Sequence, residues 1–158
     1  MPADGWLRDV SAVDEIKLMT TVTQQQAQRL ERARREILDS DDWLTTAELL
    51  ALGSPSDRIS VADLRLWLCD DQIFALRSDG TDYFPQYALD LERGYQPIPG
   101  LDLAIRLLKT TKSEWEMAFW FASMNSYLGG QRPQDVLHHH MESVLEAAQQ
   151  EVAEISHA

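Results

Sequence analysis

The sequence predicts a mainly α-helical protein: a helical bundle with a small winged helix-turn-helix-like module that carries a β-hairpin. Three observations carry that expectation. Residues 12–38 contain neither glycine nor proline. Two short apolar stretches, each opened by a serine or threonine, are followed by apolar runs on either side of a Ser-Asp-Gly turn. Past residue 100, apolar residues recur at steps of three and four, the period of an amphipathic helix. The expected organisation is an N-terminal helix over 1–41, the winged module over 42–99 and a helical domain over 100–158.

Composition sets the outer limits. The 158 residues suit one domain or two small ones, and 44% apolar content supports a packed core. A net charge of −12 argues against free-standing binding to nucleic acid or an anionic membrane, and favours a basic protein as partner. The single cysteine, Cys69, permits no internal disulfide and reads as an ordinary buried thiol in a reducing compartment. No signal peptide or membrane-length apolar stretch is visible, so a cytosolic protein is expected.

Taken in order, residues 1–11 carry Pro2, Gly5 and charges and read as a loose end. In the long helix that follows, Ile16, Met19, Leu30, Ala33 and Ile37 share one face, which predicts a homodimer. The stretch 20–26 is polar and weakens that seam. Arg29, Arg32, Arg34 and Arg35 alternate with Glu31 and Glu36, as on an exposed ion-paired surface. Thr45 with Glu48 forms a capping box before Ala47, Leu49 and Leu50; Gly53 and Pro55 break that helix, and Ser60 opens a second one over Val61, Leu64, Trp67 and Leu68. Phe74 and Leu76, the turn at Ser78, Asp79 and Gly80, then Tyr83 and Phe84 predict the hairpin wing. Gly94, Pro97, Pro99 and Gly100 make a connector to a helix bearing Leu103, Ala104, Leu107 and Leu108. Met141, Val144, Leu145, Ala148, Val152 and Ile155 define the apolar stripe of a C-terminal helix.

The stretch 113–137 organises the functional expectation. Over 115–124, apolar residues nearly surround a helix, which is therefore buried or sandwiched between the core and a partner. Gly129 suits a left-handed helix end, Gly130 a close backbone approach, and Pro133 a first helical position. By local physics alone this is a helical corner packed for stability. Yet the order Trp120, Asn125, Leu128, Gly129, Gly130, a basic residue at Arg132, then Pro133 and Leu137 before an amphipathic helix resembles the toxin-binding domain of the Xre/MbcA/ParS antitoxin family. That similarity covers about the last third of the chain. The preceding helices with IFAL, a turn and YFPQYALD resemble the winged module found before this domain in some such proteins. The resemblance implies a non-enzymatic antitoxin that occludes the active site of a partner toxin, most often of the RES type that consumes NAD. It places the contact at Trp115, Trp120, Asn125, Leu128, Gly129, Gly130, Arg132 and Pro133.

Two other functions compete. A dimeric DNA-binding regulator would use Arg58, Arg65 and Arg77, but residues 42–99 hold four arginines against ten acidic residues. A stand-alone interaction or ligand-sensing protein would keep the fold without a toxin. His138, His139 and His140 cannot converge on one ion from adjacent helical positions, although His138 with Glu142 or Asp135 with His139 would share a face; no metal or cofactor is expected. No HExxH, P-loop, GxGxxG or GxSxG occurs to suggest an enzyme.

Overall fold

A computed structural model describes the backbone from residue 3 to residue 157 and side chains from residue 16 onward. The protein is mainly helical with a small antiparallel sheet, as the sequence predicts. Helix α1 spans Ala3–Asp39. It starts ahead of the predicted position, replacing the expected loose end from Ala3 onward; residues 1 and 2 lie outside the described residues. Contacts divide the chain into Met1–Glu36 and Ile37–Ala158. The second unit holds the strands and the shorter helices.

Ile37 and Leu38 pack against its core, after which β1 (Trp43–Thr45) leads into α2 (Thr46–Leu50) and α3 (Val61–Cys69). Both predicted capping residues act as such. Thr45 accepts from the Glu48 amide while Glu48 accepts from Thr45, and Ser60 and Asp63 repeat the exchange. These bonds satisfy amides that a helix start leaves without partners. The wing is β2 (Leu76–Ser78) and β3 (Thr81–Pro85), with Ser78 opposite Thr81 across a two-residue turn. Asp79 and Gly80 both have positive φ, 50° and 78°, the backbone that matches the twist of a tight hairpin. The sequence did not reveal β1, which pairs with β3 and makes the sheet order β1-β3-β2. Nor did it reveal that the connector is ordered: β4 (Leu89–Asp90) pairs with β5 (Gln96–Pro97).

Helix α4 (Leu101–Lys109) buries Leu101, Ala104, Ile105 and Leu108, and α7 (Met141–Ser156) buries Val144, Ala147 and Ala148. The C-terminal stripe is therefore rotated toward Ala147, while Ile155 is exposed. Between them lie α5 (Glu114–Ala122) and α6 (Pro133–Val136). One aromatic group joins the halves of this unit. Phe121 of α5 lies 6.0 Å from Phe74 and 5.6 Å from Tyr87, and Trp43 meets both of those rings edge-on. Such contacts add about 0.5–1.5 kcal/mol each beyond the area they bury. Cys69 corrects the buried-thiol expectation: it is exposed, because α3 turns Leu64 and Trp67 inward instead.

Candidate functional site

The corner over 113–137 begins with a third capping box. Ser113 accepts from the Glu116 amide, and the Glu116 carboxylate accepts from the Ser113 amide. Those bonds hold the Glu116 carboxyl below its ordinary pKa. Helix α5 then buries Met117, Ala118, Trp120 and Phe121, with Trp115 packed at the core's edge. It ends sooner than the predicted 124. Ser123 donates its hydroxyl to the Phe119 carbonyl at 2.6 Å and takes up extended backbone. The side chain thus competes for a terminal carbonyl of its own helix.

A closed loop follows. The Asn125 amide donates to the Gln131 carbonyl (3.0 Å), and the Asn125 carbonyl accepts from Leu128 (3.1 Å) and Gly130 (2.9 Å). Its side-chain oxygen accepts from the Tyr127 amide at 2.9 Å, starting a 3-10 turn over Ser126–Leu128. Gly129 and Gly130 close the loop with φ of 65° and 83°, a left-handed pair that side chains with a Cβ resist. Gly129 thus takes the conformation predicted for it. Gly130 does not make the predicted close approach: a Cβ there would meet nothing within 4 Å, so its φ is what calls for glycine. Pro133 occupies the first turn of α6, where its missing amide costs nothing.

The residues expected from the sequence to meet a partner divide into inward and outward sets. Trp120, Leu128 and Pro133 face the core, and Trp115 is half-buried. Asn125 spends its side chain on its own turn, and Arg132 grips Asp135 through Nε (2.7 Å) and Nη2 (2.9 Å). Gly129 and Gly130 remain exposed. The outward apolar groups are two the sequence did not single out, Met124 at 83% exposure and Tyr127 at 54%. Tyr127 also donates its hydroxyl to Glu154 of α7 at 2.8 Å, which raises its own pKa and ties the corner to the last helix. Beside the corner lies an open groove of ≈ 410 Å³ bounded by Glu116, Phe119, Trp120 and Asn125, with the Lys112–Glu151 ion pair (2.9 Å) at its wall.

A buried link joins the corner to the start of the winged region. Gln134, only 6% exposed, donates from Nε2 to Asp42 Oδ2 at 3.0 Å. Nearby, burial pushes the Tyr87 hydroxyl well above its ordinary pKa, and the Asp42 charge adds to the effect. No periodicity in the sequence marks Gln134 as a buried residue.

The candidate DNA-contacting residues sit on separate elements. Arg58 is on the loop after α2, Arg65 on the outer face of α3, and Arg77 on β2, where it pairs with Asp82 at 3.2 Å. The net-positive segment over 100–112 is neutralised by ion pairs. Arg106 meets Asp71 and Asp102, Lys109 meets Asp71 at 2.7 Å, and Lys112 meets Glu151. The three histidines at 138–140 occupy a turn and an irregular residue, not the helical positions assumed from sequence, and all are exposed. Among the described residues, no three His, Cys, Asp or Glu side chains gather as a metal site, and no helix is long and apolar enough to cross a membrane. Comparison with protein-family models, curated proteins and solved structures yields no match.

Proposed function

We propose that this chain is an antitoxin-like protein of the cytoplasm that neutralises a partner toxin, of the RES type, by covering its active site. The reading rests on the resemblance of the stretch 113–137. One structural observation supports it: Tyr127 projects from a loop whose backbone is closed by its own hydrogen bonds, and exposed Met124 stands immediately before that loop. A backbone held in advance loses little conformational entropy on docking, and a net charge of −12 suits a basic partner.

The contact is therefore reassigned outward. Met124, Tyr127, Gly129, Gly130 and the exposed edge of Arg132 meet the toxin, while Trp120, Leu128 and Pro133 hold the corner in place. The test is capture and growth rescue with a co-expressed RES-type toxin from the same genetic neighbourhood. Met124→Asp and Tyr127→Ala are expected to reduce capture at least about tenfold, roughly 1.4 kcal/mol, with thermal unfolding little changed for Met124→Asp and slightly lowered for Tyr127→Ala by loss of the Glu154 hydrogen bond. Wild-type capture by both variants moves the contact elsewhere; absence of capture by the parent chain removes the reading.

The second reading, a dimeric DNA-binding regulator, draws on the two short helices followed by a hairpin. Against it, the outer face of α3 offers Val61, Leu66 and Asp63, with Asp70 just past its C-terminus and Arg65 as its basic residue. Purified protein is expected to show no tight, strongly salt-dependent duplex binding. Nanomolar affinity for its own promoter at physiological salt would promote this second reading over the first.

A further inference from the structure

Helix α1 carries an interaction surface that the corner does not explain. Ile16, Met19, Thr23, Gln26, Leu30 and Ala33 follow the alternating three- and four-residue steps of a heptad seam. Along it, Ile16 is 63% exposed, Met19 69% and Leu30 46%. These residues fall in the unit that ends at Glu36, which consists of this one helix among the described residues. A single helix cannot cover its own apolar seam, and isolated helices gain most of their stability from packing.

We infer that the seam is covered by a second copy of this chain, as an antiparallel two-helix coiled coil with Thr23 of each copy opposite Gln26 of the other. Charge sets the direction. The stretch 4–15 carries four carboxylates and one arginine, whereas 29–35 carries four arginines and one carboxylate. Parallel helices would lay acid on acid and base on base; in this antiparallel register, Asp14 and Glu15 come level with Arg35 and Arg34 of the second copy. Volume sets the register. With Thr23 at the level of Gln26 of the second copy, Met19 meets Leu30 and Ile16 meets Ala33. Polar layers then fall together at the centre, and the largest β-branched residue faces the smallest, which keeps the layers even. An in-register parallel pair would place Ala33 on Ala33 and leave a thin layer. Leu18 lies off this seam, and Val22 flanks it. The polar centre weakens the dimer but fixes its alignment, since a one-heptad slip would bury Thr23 and Gln26 against Met19 and Ile16.

The test needs no toxin, so its outcome is independent of the neutralisation proposal. In a full-length Cys69→Ser background, Ile16→Cys and Ala33→Cys variants are prepared separately and then mixed under mild oxidation. The mixture is expected to form disulfide-linked dimers, whereas Ile16→Cys alone does not, because the two copies of residue 16 lie about 25 Å apart along the antiparallel axis. Sedimentation of the Cys69→Ser parent should give a dimer, and Leu30→Glu should weaken association roughly tenfold or more. Unfolding of the 37–158 unit should be unchanged by Leu30→Glu. Efficient self-linking of Ile16→Cys would establish the parallel arrangement and overturn the inference, as would a parent that sediments as a monomer or a tetramer across micromolar concentrations.

Discussion

Asn125, expected from the sequence to meet a partner, instead acts on its own backbone. Its side chain holds the Tyr127 amide and its peptide group closes the loop with Leu128, Gly130 and Gln131. Asn125→Ala should therefore cost about 1 kcal/mol of stability through the lost hydrogen bond, and any lost toxin capture would follow from a loosened corner. Gly129 and Gly130 separate conformation from contact in the same way. Each has open space where a Cβ would go, so Gly129→Ala and Gly130→Ala should each cost about 1–2 kcal/mol from positive φ alone. Denaturant titration checks all three; a cost near zero at Gly129 would mean that the turn relaxes. The left-handed role of Gly129 was legible because a glycine after an apolar helical run has few other uses. The inward turn of Asn125 was not, since an asparagine's partner depends on where the backbone goes next.

Helix starts with a side-chain cap were the most legible elements. Thr45 and Ser60, both expected from the sequence, each stand three residues before an acid that returns the hydrogen bond, and Ser113, which was not singled out from the sequence, does the same; the pattern is local and needs no tertiary contact. The boxes make stability depend on pH with a definite sign. Glu48 and Glu116 have folded pKa values held below the ordinary carboxylate value by hydrogen bonds to Thr45 and Ser113. Their contribution is complete above the unfolded pKa of about 4.3 and is lost as pH falls through the lowered folded value. Glu116→Gln should accordingly flatten part of the acid limb of the stability profile while leaving the neutral-pH fold in place. An acid limb identical to the parent's would sink this account of the α5 cap. Short strands were the opposite case. β1 has three residues and pairs with β3 far along the chain, with Leu44 opposite Phe84, so neither its length nor its alternation announces it.

On the scale of the whole molecule, Phe121 is the joint. Fully buried, it packs on Phe74, Tyr87 and Trp120, and so couples α5 to the residues just before and just after the wing. Phe121→Ala should destabilise the 37–158 unit by about 3–5 kcal/mol, and hydrogen exchange should speed up in β3 and α5 together. Protection lost from α5 alone would show that residues 42–99 and 100–158 keep separate cores. By itself the sequence determined the helical class, the capped helix starts, the hairpin turn, the left-handed break at Gly129 and the apolar seam of α1, because each follows from spacing within a few residues. Only the tertiary structure decided that Trp120 and Leu128 face inward while Met124 and Tyr127 face out, that Gln134 is buried against Asp42, and that the positive segment over 100–112 is matched by Asp71, Asp102 and Glu151. Those outcomes depend on which distant surface covers a side chain, and local spacing carries no information about that surface.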